Sequence, residues 1–171
     1  MNTMLAAAVA AQILLLVYHQ VTTTVDLFPF NGARFHRGKE RIAECAVNGV
    51  LMSLGPIGFA FHVSALMTFG VIYYFVLFAI EVIIWWVPYL TVPSGRWRSF
   101  YNLLLAFGNG DFARGDTLSR WVEIHDRIHR GTIALLPARE GRPVPNLEHT
   151  ILHAWTLVTA LVTAVAWRHL Q

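Results

Sequence analysis

The stretch that decides the fold is LMTFGVIYYFVLFAIEVIIWWVPY, residues 66–89, in which Glu81 is the only charged residue. About 20 mostly apolar residues are enough for a helix to cross a bilayer. This stretch is therefore predicted to be a membrane-spanning helix. Three further segments have the same character, and they cover residues 3–19, 44–62 and 148–168.

The composition agrees with a membrane protein and argues against three other classes. Of 171 residues, 56% are hydrophobic and only 13% are charged, whereas a soluble domain carries about 25% charged residues. A soluble enzyme domain, a disordered tail and a nucleic-acid-binding module are therefore disfavoured. We predict an all-α integral-membrane four-helix bundle that forms a single transmembrane domain over residues 1–171. The single cysteine, Cys45, excludes an internal disulfide and any zinc or iron–sulfur site built from several cysteines.

The positive charges predict how the chain is oriented. Twelve of the 13 Lys and Arg residues lie in two loops, residues 20–43 and 90–147, and only Arg168 lies elsewhere. Because loops rich in Lys and Arg stay in the cytoplasm, both loops are predicted to be cytoplasmic and both termini external. No positive residue precedes the first apolar run, so we interpret that run as a retained membrane helix and not as a signal peptide.

The long loop contains two amphipathic patterns. The first predicts a helix that lies in the membrane interface and that GNGDFARGD, residues 108–116, brings to an end. A second helix is predicted from Asp116, as its N-cap, to Gly131, as its stop. The apolar face of the first helix consists of Trp97, Phe100, Tyr101, Leu104 and Phe107, and that of the second of Leu118, Trp121, Val122, His125, Ile128 and His129.

Aromatic residues at the cytoplasmic side allow two interpretations. The first loop, with turn residues such as Pro29 and Asn31 beside Phe28 and Phe30, either folds back as a lid or lies in the interface, anchored by its phenylalanines. The interfacial loop is the preferred interpretation. The aromatic residues that end the third span, which are Trp85, Trp86 and Tyr89, are predicted to form an interfacial belt.

Polar side chains from distant segments are predicted to meet in one layer. His19 ends the first span, Glu44 begins the second, and Glu81 lies about two turns inside the third. Two histidine pairs at i,i+4 spacing, each on one helix face, reach the same level. These pairs are His125 with His129 and His149 with His153. Ionisable groups inside a membrane bundle usually mark function.

This set of residues has the composition of a metal site. Imidazoles suit zinc and iron, and carboxylates complete such sites, so His125, His129, His149 and His153 are predicted metal ligands. Catalytic roles or further ligation are predicted for Glu81, Glu44 and His19. Structural roles remain alternatives, such as an interhelical hydrogen bond for Glu81. The histidine pairs are similar to those of membrane desaturases and hydroxylases, but this chain has fewer histidine boxes and lacks their His-His doublets.

The sequence therefore predicts a small membrane metalloenzyme with a His/Glu site at the cytoplasmic interface, acting on a lipid-like or hydrophobic substrate. A b-type haem or quinone-linked electron-transfer subunit is the alternative, with His19 and His153 as axial ligands. A non-enzymatic carrier or assembly subunit is a third option. The lipid bilayer is the predicted partner and nucleic acid is not, while a homo-oligomer or a larger complex stays open. Twelve Arg to one Lys is typical of a GC-rich bacterial genome, and hence of a plasma-membrane protein.

Overall fold

The structure is a computed structural model that describes residues 3–36, 38–91, 93–108 and 117–170. Within these residues every regular element is a helix or helical turn. Four helical segments are long and apolar enough to cross a membrane, and they are Thr3–Thr24, Arg41–Ala60, Ser64–Leu90 and Leu147–His169. The predictions of an all-helical chain and of four candidate spans are confirmed.

The helices in chain order are α1 (Thr3–Thr24), α2 (Gly38–Ala60), α3 (Ser64–Glu81), α4 (Val87–Leu90), α5 (Gly95–Gly108), α6 (Thr117–Ile128) and α7 (Leu147–His169). A short 3-10 turn, Ala33–Phe35, precedes α2, and a π-helical turn, Val82–Trp86, joins α3 to α4. The long helices pack as a ring, in which α1 and α3 each contact both α2 and α7. We call the end where α1 and α4 finish and α7 begins the loop end, and the opposite end, with the tight α2–α3 turn, the hairpin end.

Glycines allow α2 and α3 to pack closely. A Cβ atom added at Gly70 would lie 3.0 Å from the Cα of Gly55, and one added at Gly58 would lie 2.5 Å from the Cβ of Leu66. Real Cβ atoms rarely come so near, so larger residues would push the two helices apart. This close contact is the antiparallel hairpin that the very short connection predicts.

The interior of the bundle carries a stripe of threonines on α7. Thr156, Thr159 and Thr163 are fully buried, and the Gln12 side chain of α1 donates a 2.9 Å hydrogen bond to the hydroxyl of Thr163. Such hydrogen bonds between helices satisfy polar groups where no bulk water can. At the hairpin end the interior becomes apolar, with a cluster of Leu5, Ala8, Phe59, Met67 and Ala166.

The π-helical turn places Trp85 inside the protein. Its side chain is only 7% exposed and belongs to a cluster with residues of α5 and α6, namely Tyr101, Leu105, Leu118, Trp121 and Val122. Tyr89 is buried as well. The prediction of an interfacial belt is therefore wrong for Trp85 and Tyr89, because one face of the α3–α4 segment is covered by protein. Aromatic residues at the end of a span look alike in sequence whether lipid or protein covers them.

The face predicted for α5 does not act as one surface. Tyr101 is buried against the Trp85 cluster, whereas Trp97 and Phe100 are 68% and 44% exposed. The side chain of Phe107 lies outside the described residues. The predicted stripe thus divides into a residue that packs on protein and residues that do not, and the placement of α5 in a membrane interface stays a prediction.

Helix α6 packs through the face that its sequence predicts. Leu118, Trp121, Val122 and Ile128 are all buried. The helix itself, Thr117–Ile128, is shorter than the predicted range. The predicted N-cap Asp116 and most of the predicted break at residues 108–116 lie outside the described residues.

The first loop folds back onto the protein and does not extend away from it. The amide of Asn31 donates 2.8 Å hydrogen bonds to the carbonyl oxygens of Thr22 and Val25. The backbone N–H of Ile133, in the α6–α7 connection, donates to Pro29 O at 2.9 Å. These bonds favour the lid over the interfacial loop, because they tie the loop across the loop end of the bundle.

Candidate metal centre

The two predicted histidine pairs meet around one tryptophan. Helix α6 supplies His125, the turn that follows it supplies His129, and α7 supplies His149 and His153. The ring centroid of Trp85 lies 4.1 Å from that of His149 and 4.9 Å from that of His125. The corresponding distances to His129 and His153 are 5.8 Å and 6.3 Å. Helix packing thus brings together imidazoles that are about twenty residues apart in the chain.

The tightest group of metal-binding side chains consists of His129, Glu148 and His149. One donor atom from each lies within 4.8 Å of the other two, and among the described residues no other group of this kind is as compact. Glu148 is buried and the two histidines are partly buried. The sequence predicted both histidines as ligands. Glu148 was not among the predicted ligands, since its position in the first turn of α7 is already explained by the helix dipole.

Asn146 holds both histidine rings from one position. It is the N-cap of α7, and its side-chain oxygen accepts the backbone N–H of His149 at 2.9 Å. The same oxygen lies 2.7 Å from Nδ1 of His149, and the amide nitrogen lies 3.2 Å from Nδ1 of His129. The oxygen accepts Nδ1–H of His149 and leaves its Nε2 lone pair free, as in metal sites. The amide N–H donates to Nδ1 of His129, so binding of a metal ion through that nitrogen would have to displace this hydrogen bond.

The group borders a cavity of about 190 Å³ at the loop end. Its described lining comes from α1, the first loop, α2, the π-helical turn, α6 and α7. The residues are Thr22, Thr23, Gly32, Ala33, His36, Arg41, Glu44, Trp85, His125, His129, Glu148 and His149. Sequence reasoning missed His36 and Arg41 as site residues, because nothing in the loop pattern indicates that the loop folds inward.

Burial favours the neutral form of the imidazoles of His125 and His129. Burial lowers the pKa of His125 to about 4, and burial together with the charge of His125 lowers the pKa of His129 to about 3. Both rings are therefore uncharged at neutral pH and keep a lone pair. A histidine must be neutral to bind a metal ion, so these rings are in the state that ligation requires.

The fourth predicted ligand, His153, is held outside the cavity lining. It is 3% exposed, and the indole N–H of Trp86 donates to its Nδ1 at 2.9 Å. In a neutral ring this hydrogen bond leaves the proton on Nε2, which can then donate a hydrogen bond but has no lone pair for a metal ion. His153 is one helical turn deeper in the bundle than His149.

His19 and Glu44 form a small polar network next to the cavity. Nε2 of His19 lies 3.1 Å from the amide nitrogen of Asn48 and 3.6 Å from a carboxylate oxygen of Glu44. Glu44 lines the cavity, and His19 stands behind it. The structure thus places Glu44 in the wall of the cavity that adjoins His129, Glu148 and His149, with His19 as the neighbour of Glu44.

Glu81 lies in a separate part of the interior. The hydroxyl of Thr156 donates to Oε1 of Glu81 at 3.1 Å, and Oε2 is buried with no partner among the described residues. The described cavity lining does not include Glu81. The geometry therefore gives Glu81 the interhelical hydrogen bond that was its structural alternative, and its catalytic role stays a prediction.

Comparison with known proteins gives no relative, since no family model, no curated protein and no solved structure matches the chain.

Proposed function

We propose that the chain is a small integral-membrane, metal-dependent enzyme that binds zinc or iron through His129, Glu148 and His149. The observation that carries this proposal is the mutual distance of three donor atoms, at most 4.8 Å. Donor atoms on one tetrahedral ion, each bound at about 2.0–2.2 Å, lie roughly 3.3–3.6 Å apart. Side-chain rotations that shorten the longest distance by about 1 Å would therefore bring the three donors onto a common ion.

The ligand set suits a catalytic site better than a purely structural one. Catalytic sites bind the ion with three protein ligands and leave a position open, and here a cavity of about 190 Å³ adjoins the group. Bound zinc would supply an acidified water for hydrolysis, and bound iron would supply redox chemistry. Glu44 and His36 line the same cavity, so they are candidates to accept or donate a proton.

The location of the cavity suggests a lipid-like or hydrophobic substrate. It lies at one end of four helices that are apolar enough to span a membrane. The connections at this end carry almost all of the Lys and Arg residues, so the positive-inside rule assigns this end to the cytoplasmic face. A substrate that resides in the inner leaflet would then reach the site without leaving the bilayer.

The haem alternative has less geometric support. A haem between His19 and His153 needs one free ring nitrogen from each, directed into a common space. The Nε2 atom of His19 contacts Asn48 and Glu44, which leaves only its buried Nδ1 without a partner among the described residues, and Nδ1 of His153 accepts a hydrogen bond from Trp86. The two rings thus have separate partners, whereas His129 and His149 share Asn146.

The proposal is tested by metal analysis of the protein purified in detergent without chelator. We expect about one zinc or iron ion per chain and no haem absorption band. His149→Ala and His129→Ala should each lower the metal content to near zero, since each removes one of three ligands. The matched control is His169→Ala, which removes an exposed histidine from the other end of α7 and should retain full metal content.

Three outcomes would contradict the proposal. Unchanged metal content in His129→Ala and His149→Ala would remove both residues from the ligand set. A haem absorption band in the wild-type protein would favour the electron-transfer alternative. Absence of both metal and haem would favour a carrier or assembly subunit. With metal present, mass spectrometry of nanodisc lipids distinguishes hydrolysis from oxygen insertion, with His149→Ala as the inactive control.

A further inference from the structure

Arg41 is the one cationic side chain of Lys or Arg type in the described lining of the cavity beside the metal group. Its Nη1 donates a 2.9 Å hydrogen bond to the carbonyl oxygen of Ala33. Its Nε is buried and has no hydrogen-bond partner in the part of the chain that the structure describes. The guanidinium is thus fixed by one bond while a second strong donor is unused.

The carboxylates of the cavity do not neutralise Arg41 directly. Glu44 and Glu148 line the same cavity, yet within the described residues each lies near a histidine ring, at 3.6 Å and 3.8 Å, and not near Arg41. A bound divalent ion would offset the two carboxylates. The nearby carboxylate of Asp26 lies outside the described cavity lining and pairs with Arg34, so the positive charge of Arg41 has no direct counter-charge in the lining, and such a charge is costly in a partly buried site. An anionic ligand would balance it.

The size of the cavity limits this anion to a small group. A volume of about 190 Å³ is below the range of about 300–1,000 Å³ that is usual for pockets that enclose a whole drug-sized molecule. A phosphate or a lipid headgroup fits such a space, while the chains of a lipid would have to remain outside. Thr23, which also lines the cavity, brings a further hydroxyl to its wall.

We propose that Arg41 and the metal ion together form an oxyanion subsite, and that the substrate of this site carries a phosphate group. This inference rests on the proposed function, because the metal supplies half of the subsite. A guanidinium presents two parallel donors that match phosphate oxygens. Phosphate has enough oxygens to bind the guanidinium and the metal at the same time, which a carboxylate with two oxygens does less well.

The experiment measures binding of inorganic phosphate to the metal-loaded protein in detergent by isothermal titration calorimetry. We expect the wild-type protein to bind phosphate and Arg41→Gln to bind it about ten- to a hundredfold more weakly, the usual effect of losing a charged hydrogen bond. Metal content is measured on the same samples and should be unchanged in Arg41→Gln. Lys39→Gln is the matched control, because it removes an exposed positive charge two residues away and should bind phosphate as the wild type does.

A second variant covers the case in which Arg41→Gln fails to fold. Arg41→Lys keeps the charge and loses the paired donors, so it should also weaken phosphate binding, by less than Arg41→Gln. A metal-loaded wild-type protein that binds no phosphate, or Arg41 variants that bind it as tightly as the wild type, would overturn the subsite and leave the metal site standing. A wild-type protein without metal would overturn both.

A competition arm distinguishes the two sources of phosphate. A single-chain lysophosphatidic acid that displaces inorganic phosphate and binds more tightly, with the same dependence on Arg41, indicates a lipid headgroup as the natural ligand. Displacement without gain in affinity indicates a small soluble phosphate. A lipid whose binding does not change in Arg41→Gln and does not displace phosphate contradicts a lipid phosphate at this subsite.

Discussion

At the hairpin end of the bundle, the packed interior is built from Leu5, Phe59, Met67 and their small neighbours, and the histidine near each helix end, such as His169, is exposed. At the loop end, imidazoles and carboxylates from α2, α6, α7 and two connecting segments line a cavity. Both ends belong to helices of similar length and apolar character. Membrane placement alone therefore does not explain the polar set.

The polar groups buried at the loop end cost free energy, and this cost indicates that they have a function. Burying a polar or ionisable group without a partner costs free energy, and inside a membrane bundle such groups are usually functional. The hairpin end avoids that cost by keeping its histidines exposed. The loop end meets it with specific partners, such as Asn146 between His129 and His149.

The largest expected effect on stability concerns Trp85, which packs against buried residues of α5 and α6 at the loop end. Trp85→Ala should lower the free energy of unfolding by about 3–5 kcal/mol, because it leaves a large cavity between α6 and α7. Unfolding in mixed micelles with increasing denaturing detergent measures this change. The control Trp97→Ala removes a tryptophan that is 68% exposed and should change stability far less. If the two variants were equally stable, the loop end would not be held together by Trp85.

A smaller effect is expected at Asn146, which separates helix capping from metal positioning. Asn146→Ala should lower the free energy of unfolding by about 1 kcal/mol, since α7 loses its N-cap. The same variant should lower metal affinity about 10- to 100-fold, since the histidines lose their common partner. Asn146→Asp keeps the oxygen that accepts the His149 N–H and loses the amide donor to His129. Its stability should stay near that of the wild type. Metal titration of the wild-type protein and both variants measures the positioning role of Asn146. Equal metal affinity in all three proteins would refute that role.

The smallest expected effect lies in the interior away from the loop end. Gln12→Met removes the hydrogen bond to Thr163 and keeps a similar volume, so the free energy of unfolding should change by only about 0.6 kcal/mol. A double-mutant cycle with Thr163→Val measures the pair directly. A coupling above about 2 kcal/mol would mean that this region also depends on a strong polar network, and the contrast between the two ends would fail.

Much of the fold could be predicted from the pattern of apolar residues. A long apolar run such as residues 66–89 has no other stable arrangement in lipid than a helix, because every backbone N–H and C=O must be paired within the segment. The buried face of α6 follows in the same way from 3.6-residue periodicity. The convergence of His129 and His149 followed from counting residues along helices from a common membrane level.

The rest depends on contacts between segments that no local pattern encodes. Trp85 has the sequence context of a lipid-facing aromatic residue, and only the packing of α5 and α6 against it makes it a core residue. His36 and Arg41 reach the cavity because Asn31 and Pro29 tie the first loop to α1 and to the α6–α7 connection. Glu148 is explained locally as a residue of the first turn of α7, although it also faces His129.

The sequence by itself determined the apolar character of the long helices, their number and the residue types that would be available at the loop end. These features are local, since hydropathy and helical periodicity act over one or two dozen residues. The tertiary structure alone decided which of the available donors share a cavity, which aromatic residues are covered and that Arg41 lies in the described wall of that cavity. Such choices depend on how separate helices and a folded loop pack in three dimensions, and packing is set by the whole chain at once.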